Sequence, residues 1–189
     1  MCYDKLRLAL AAGLLAVGPT ADALGQVIDD FEQGPFSLQG TAFSSGIQTG
    51  LAPVHCIATS RDVRLFVNGS PSGAGLSLGA VDDEVATVFG DDGGRLEFRY
   101  DPLPTDLTVG GVFNSLRVNM PVAVPAGRIE VLLEDSSGLA FTTSHFIVGP
   151  GNYIFHYIDF VDVDLETVDF IQVSFDVPDF GDYHVSDIR

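Results

Sequence analysis

From Gly25 onward the chain is cut into short runs rich in Val, Ile, Phe, Tyr and Thr, separated by Gly, Pro, Asp and Asn clusters at a spacing of roughly 8 to 12 residues. β-Branched and aromatic side chains suit the pleated, half-buried surface of a strand, and the residues between the runs supply turns. No segment keeps an apolar stripe at the helical period. The pattern therefore confines the chain to an all-β fold: a two-sheet antiparallel β-sandwich of the jelly-roll type, with very little helix after the leader. Strands are expected near 26–31, 36–43, 53–58, 62–68, 75–81, 84–89, 95–101, 112–120, 127–134, 139–148, 152–160, 169–177 and 182–188. One turn of helix is the most expected at 164–167, where Asp164 can cap and Glu166 favours the positive helix start.

Ahead of these runs, Lys5 and Arg7 precede an apolar stretch from Leu8 to Val17, and Ala21-Asp22-Ala23 supplies the small residues of a cleavage site. This reads as a signal peptide over residues 1–23, with 24–189 forming a single β-sandwich domain. About 166 residues suit one core. The apolar stretch is too short for a hydrocarbon layer of about 30 Å, and no later segment is long enough without charge, Gly or Pro, so the mature chain is expected to have no membrane span. The expected location is secreted and extracellular, with the periplasm as the other compartment to which such a leader gives access. Cleavage removes Cys2 and leaves Cys56, which has no internal disulfide partner and reads as a small buried hydrophobe beside Val54, His55 and Ile57.

Nine Lys and Arg residues stand against 26 Asp and Glu, for a net charge of −17. Such a surface repels phosphate backbones and anionic headgroups, which excludes nucleic acid as a partner. Acidic runs such as Asp82-Asp83-Glu84 and Asp91-Asp92 read as turn and surface residues. There is no G-x-S-x-G elbow, no P-loop, no H-E-x-x-H and no C-x-x-C.

Gly149-Pro150-Gly151-Asn152 separates two apolar runs and reads as a hairpin loop that pairs Val148 with Tyr153 and His145 with His156. Two histidines brought to one face in this way could share a metal ion if a third ligand approached. On the same hairpin Tyr153, Phe155 and Tyr157 alternate onto one face, with Phe146 opposite Phe155. That face is the candidate ligand-binding platform, because a flat aromatic surface stacks on the apolar face of a sugar ring. The competing reading places the same rings in the core. His55 and His184 have no partner nearby in the sequence.

Val27-Ile28-Asp29-Asp30-Phe31-Glu32, Gly94-Arg95-Leu96-Glu97-Phe98-Arg99-Tyr100-Asp101, the run Leu165 to Val173 and Tyr183-His184-Val185-Ser186-Asp187-Ile188 resemble secreted bacterial jelly-roll domains of the carbohydrate-binding-module-like and galactose-binding-like type. The resemblance implies that the first and last strands lie side by side, with a structural calcium ion near them. Asp30, Glu32 and Asp187 are the residues here that could supply hard oxygen ligands. Otherwise Asp29 and Asp30 solvate an edge strand. It also implies a secreted, non-catalytic sandwich that binds a glycan or another extracellular surface component. The alternatives are a structural or adhesive matrix protein without a small-molecule site, and a small polysaccharide-acting or metal-dependent enzyme.

Overall fold

The computed structural model describes residues 26–32, 36–52, 56–68, 74–78, 85–89, 93–101 and 105–189. The leader, His55, the Asp82-Asp83-Glu84 run and Asp91-Asp92 lie outside them.

Among the described residues fourteen strands follow in chain order: β1 (Phe36–Gly40), β2 (Phe43–Thr49), β3 (Ser60–Val67), β4 (Ala74–Leu78), β5 (Val85–Phe89), β6 (Gly94–Tyr100), β7 (Ser115–Met120), β8 (Val122–Val124), β9 (Gly127–Asp135), β10 (Ala140–Ile147), β11 (Gly151–His156), β12 (Val168–Val177), β13 (Asp182–Val185) and β14 (Asp187–Ile188). The helical content of the described residues is a 3-10 turn at Tyr157–Asp159. At 164–167 the chain makes a turn in which Asp164 accepts hydrogen bonds from Glu166 N and Thr167 Oγ1.

One layer is a six-stranded antiparallel sheet in the order β10-β9-β12-β6-β3-β2. The other is built from a five-stranded sheet, β1-β4-β5-β13-β8, and a three-stranded one, β11-β7-β14. These two are continuous. Only Ser186 separates β13 from β14 and only Pro121 separates β7 from β8, while β13 pairs with β8 and β14 with β7. Ser186 N donates to Asn119 O at the bend, so one bent ladder joins the two parts.

The core follows from alternation. Along β3 burial alternates residue by residue, with Val63 and Leu65 fully inside. Leu96 and Phe98 of β6, Ile129, Val131 and Leu133 of β9, and Val173 and Phe175 of β12 join them from the same layer. Leu116, Val118, Met120, Phe155, Tyr183, Val185 and Ile188 close the core from the other. Cys56 is buried as the sequence indicates, and burial, reinforced by the charge of Asp29, pushes its thiol up to about 12. The segment expected as a strand at 26–31 forms isolated bridges at Asp29 and no strand, because the chain leaves the last strand again after two residues; there Ile28 N donates to Ile188 O and Ile188 N to Asp29 O, which sets this N-terminal segment beside β14.

Three further sequence expectations need correction. The run 36–43 is two strands in different layers, because the chain turns at 41–42 and Ser44 Oγ bonds back to Gln39 O at 2.7 Å. Asp29 is not a solvated edge residue but is buried against Arg61. The loop at 149–152 does not close a hairpin ladder: β10 pairs with β9 and β11 with β7, so the loop carries the chain from one layer to the other.

Candidate functional site

The last correction separates the residues that the hairpin was expected to assemble. Phe155 is fully buried beside Leu116, and Tyr157 is buried with its hydroxyl donating to Leu107 O. Tyr153 is half-buried and its hydroxyl bonds to the backbone of Gly149. Their alternation is real, but it points inward, so these rings form core and not an exposed platform. His145 and His156 do not face each other. His145 Nε2 lies 2.9 Å from Ile154 O and its ring packs edge-on against Phe155, which ties the two layers together at their open side. His184, expected to lack a partner nearby in the sequence, has one two residues away: its Nε2 lies 3.2 Å from Asp182 Oδ1 on the same strand, β13.

Asp30, Glu32 and Asp187 do not form a set that fits calcium. The Asp187 carboxylate makes ion pairs with Arg117 and Arg189, both at 3.1 Å, and accepts from Asn119 Nδ2. Both guanidinium groups face Oδ1 and the Asn119 amide donates to Oδ2, so a cation would meet positive charge at one oxygen and an occupied lone pair at the other. Asp30 accepts from Glu32 N at 3.1 Å. Among the described residues no three His, Cys, Asp or Glu side chains come together to hold a metal ion.

The outward face of the six-stranded sheet is where polar and aromatic groups do converge. Registers place residues from all six strands in transverse rows. The first row runs Phe146, Arg128, Asp176, Arg95, Phe66, Phe43. The second runs Ser144, Glu130, Ser174, Glu97, Arg64, Ser45, and the third Thr142, Leu132, Gln172, Arg99, Asp62, Ile47. At the usual strand separation each row spans about 24 Å.

Arg95 organises the centre. Its Nη1 reaches Asp176 at 2.8 Å, its Nε reaches Glu97 at 2.9 Å, and its Nη2 reaches Glu130 at 2.9 Å and Ser174 Oγ at 2.7 Å. Burial opposes the charge, but the bonds to Glu97, Glu130 and Asp176 outweigh it and hold the guanidinium above its ordinary pKa. Arg128 adds a bond to Glu130 at 3.1 Å and one to Ser144 Oγ at 2.9 Å. A guanidinium whose donors are used in this way is fixed in one rotamer, and it fixes its partners.

Aromatic rings bound this polar floor. Phe43 and Phe66 lie 4.9 Å apart, centroid to centroid, at one end of the first row, and Phe146 stands 81% exposed at the other. Between Phe66 and Phe146 lies a cleft of about 920 Å³, floored by Arg95, Arg128 and Asp176 and flanked by Asn68 and Val148. Behind it the core packs tightly on Gly94, where a Cβ would collide with Phe66 O and the Phe89 ring. A smaller depression of about 190 Å³ lies on the same face where Arg99 covers Phe170 at 4.8 Å, beside Asp62, Arg64 and Ile47. The sequence carries a signal for this face that the hairpin reading passed over. Charges recur at every second position of otherwise apolar strands, at Arg95, Glu97 and Arg99, at Arg128 and Glu130, and at Asp62 and Arg64.

No protein-family model matches the chain, and no curated protein does. Solved structures that it is similar to include a family 11 carbohydrate-binding module from Clostridium thermocellum in complex with a β-1,3-1,4-mixed-linked tetrasaccharide, at 16% identity over 86% of this chain and 92% of that one, with a TM-score of 0.41. An exo-β-agarase is similar at 17% identity over 87% of this chain and 25% of that one, with a TM-score of 0.49. A family 29 carbohydrate-binding module mutant complexed with mannohexaose is similar at 13% identity over 87% of each chain, with a TM-score of 0.38.

Proposed function

We propose that the chain is a secreted, non-catalytic module that holds an extracellular polysaccharide or cell-surface glycan on the outward face of its six-stranded sheet. The observation that carries this reading is the cleft walled by Phe66 and Phe146 and floored by Arg95, Asp176 and Arg128. A sugar ring has an apolar C–H face and a rim of hydroxyls that both donate and accept. It is held by flat apolar walls together with a few fixed donors and acceptors. The cleft supplies both kinds of group, and its polar groups are ordered before any ligand arrives, which lowers the entropic cost of binding. Glu97, Glu130 and Asp176 are each bonded to Arg95, whereas glycoside hydrolysis needs two carboxyl groups facing each other across a bound sugar.

The test is calorimetric titration with the polysaccharides that score on a glycan array. Phe146→Ala should weaken binding by about 0.5–1.5 kcal/mol, the scale of one aromatic ring contact. Absence of binding to every glycan on the array overturns the reading. Intact mass of the chain exported by a bacterial host tests the leader, and the exported form should begin at Leu24 or Gln26.

A further inference from the structure

β10 ends the six-stranded sheet, and among the described residues no strand pairs with its outer edge. The turn before it fixes which groups face that edge. Asp135 N donates to Leu139 O at 2.9 Å, so Asp135 and Leu139 form a hydrogen-bonded pair of the β9–β10 ladder. In an antiparallel ladder such pairs recur at every second residue. Phe141, Thr143, His145 and Ile147 therefore direct their backbone groups at β9, and those of Ala140, Thr142, Ser144 and Phe146 point away from the sheet.

Proteins guard edges of this kind with charge, proline, bulges or very short strands. β10 has no such guard. From Leu139 to Val148 the sequence is Leu-Ala-Phe-Thr-Thr-Ser-His-Phe-Ile-Val, without Asp, Glu, Lys, Arg, Pro or Gly. Of the other strands that end a sheet among the described residues, β1, β2 and β11 each contain a glycine and have 5, 7 and 6 residues, and β8 and β14 have only 3 and 2, against 8 in β10. Apolar side chains are exposed on and beside it, among them Phe146 and Val148 at 81% and 86%.

Such a row of donors and acceptors is satisfied by another extended strand, and a second β10 matches it. Turned antiparallel about Thr143, two copies bring Ala140 opposite the other's Phe146 and Thr142 opposite its Ser144. All four outward-facing residues of each copy then take part in the ladder. Small faces large, and hydroxyl faces hydroxyl. No charge meets a like charge along the strand, which matters for two copies of a chain of net charge −17.

We propose that the chain pairs with a second copy of itself through β10, forming an isologous dimer with one continuous sheet. Ala140 of the second copy then borders the cleft beside Phe146, and two clefts lie on one surface. The gain from bivalent glycan binding rests on the function proposed above; the dimer does not.

Sedimentation velocity of the purified protein over a wide concentration range tests the pairing without any glycan. The expected result is a monomer–dimer equilibrium. Thr142→Pro removes an outward N–H and leaves the β9 ladder intact, so it should weaken dimerisation by about tenfold or more, and Thr142→Ala should retain it. Should the proline variant fail to fold by circular dichroism, amide exchange on the parent decides. The Thr142 and Ser144 amides should be protected at high concentration and exchange fast on dilution. A monomer at every concentration, open-ended growth, or a dimer unaffected by Thr142→Pro overturns the proposal, as does concentration-independent exchange at those amides.

Discussion

The Arg61 guanidinium donates to Asp29 Oδ1 at 2.6 Å, and both side chains are buried, at 1% exposure each. The pair sits between the N-terminal segment and β3. Asp29 also accepts from Phe31 N at 2.9 Å and from the Tyr100 hydroxyl at 3.0 Å. Arg61 spends its other donors on Gln48 Oε1 and lies 5.1 Å over the Phe31 ring. This network locks the segment that pairs with the last strand onto the six-stranded sheet.

Removing one partner should therefore cost more than the pair contributes. Asp29→Ala leaves a buried, uncompensated guanidinium, and urea denaturation should show a loss of about 3–5 kcal/mol. The double variant Asp29→Leu with Arg61→Met removes both charges and should lose clearly less. Equal losses in the single and double variants would show that the charges are not coupled.

Asp135 locks the entry to β10 by a different route. Its Oδ1 accepts from Ser137 N, Ser137 Oγ and Leu139 N, and its Oδ2 accepts from Asp164 N. The backbone N–H of Asp164 and the Ser137 hydroxyl lead in pulling its carboxyl down to about 2 from an ordinary value of 3.8. A carboxyl depressed on folding contributes stability that is complete above its unfolded pKa and is lost as pH falls through the folded one. The melting temperature should thus drop between about pH 4 and pH 2, and Asp135→Asn should flatten that part of the profile. An unchanged acid limb in the variant would assign the drop to other carboxylates.

Strands with one buried face were legible, because apolar positions at period two mark β3, β9 and β12 wherever the chain runs. The partner of each strand was not. Phe146 and Tyr153 are separated by a turn-forming sequence that serves equally for a hairpin within one sheet and for a crossing between two. Which of these occurs depends on β9, the strand just before β10, and on β7, which lies earlier than both in the chain. The site was hidden for the same reason. Phe43, Phe66, Arg95, Arg128, Phe146 and Asp176 become neighbours only once the register of six strands is set. Asp29 and Asp30 show the limit from the other side: adjacent residues of one type point opposite ways on an extended chain, and one is buried while the other is not.

Calcium gives a direct check on the occupation of Asp187. Because its Oδ1 already faces Arg117 and Arg189 and its Oδ2 the Asn119 amide, calcium should raise the melting temperature no more than magnesium at equal ionic strength, where both only screen the net charge. A rise specific to calcium that grows with the logarithm of ion concentration, and that Asp187→Ala removes, would instead assign Asp187 as a ligand.

Phe146 and Phe155 stand nine residues apart on opposite sides of one loop, yet they should respond to truncation in opposite ways. Phe155 is fully buried against Leu116, so Phe155→Ala leaves a cavity that the strands on either side cannot close. It should destabilise the fold by about 3–5 kcal/mol and affect glycan affinity little in the fraction that remains folded. Phe146 is 81% exposed at the lip of the cleft, so Phe146→Ala should change stability by no more than about 0.5 kcal/mol while glycan affinity falls. Thermal denaturation and calorimetric titration on the two variants separate these effects. Loss of affinity in Phe155→Ala without loss of stability, or loss of stability in Phe146→Ala without loss of affinity, would move the binding surface off the six-stranded sheet.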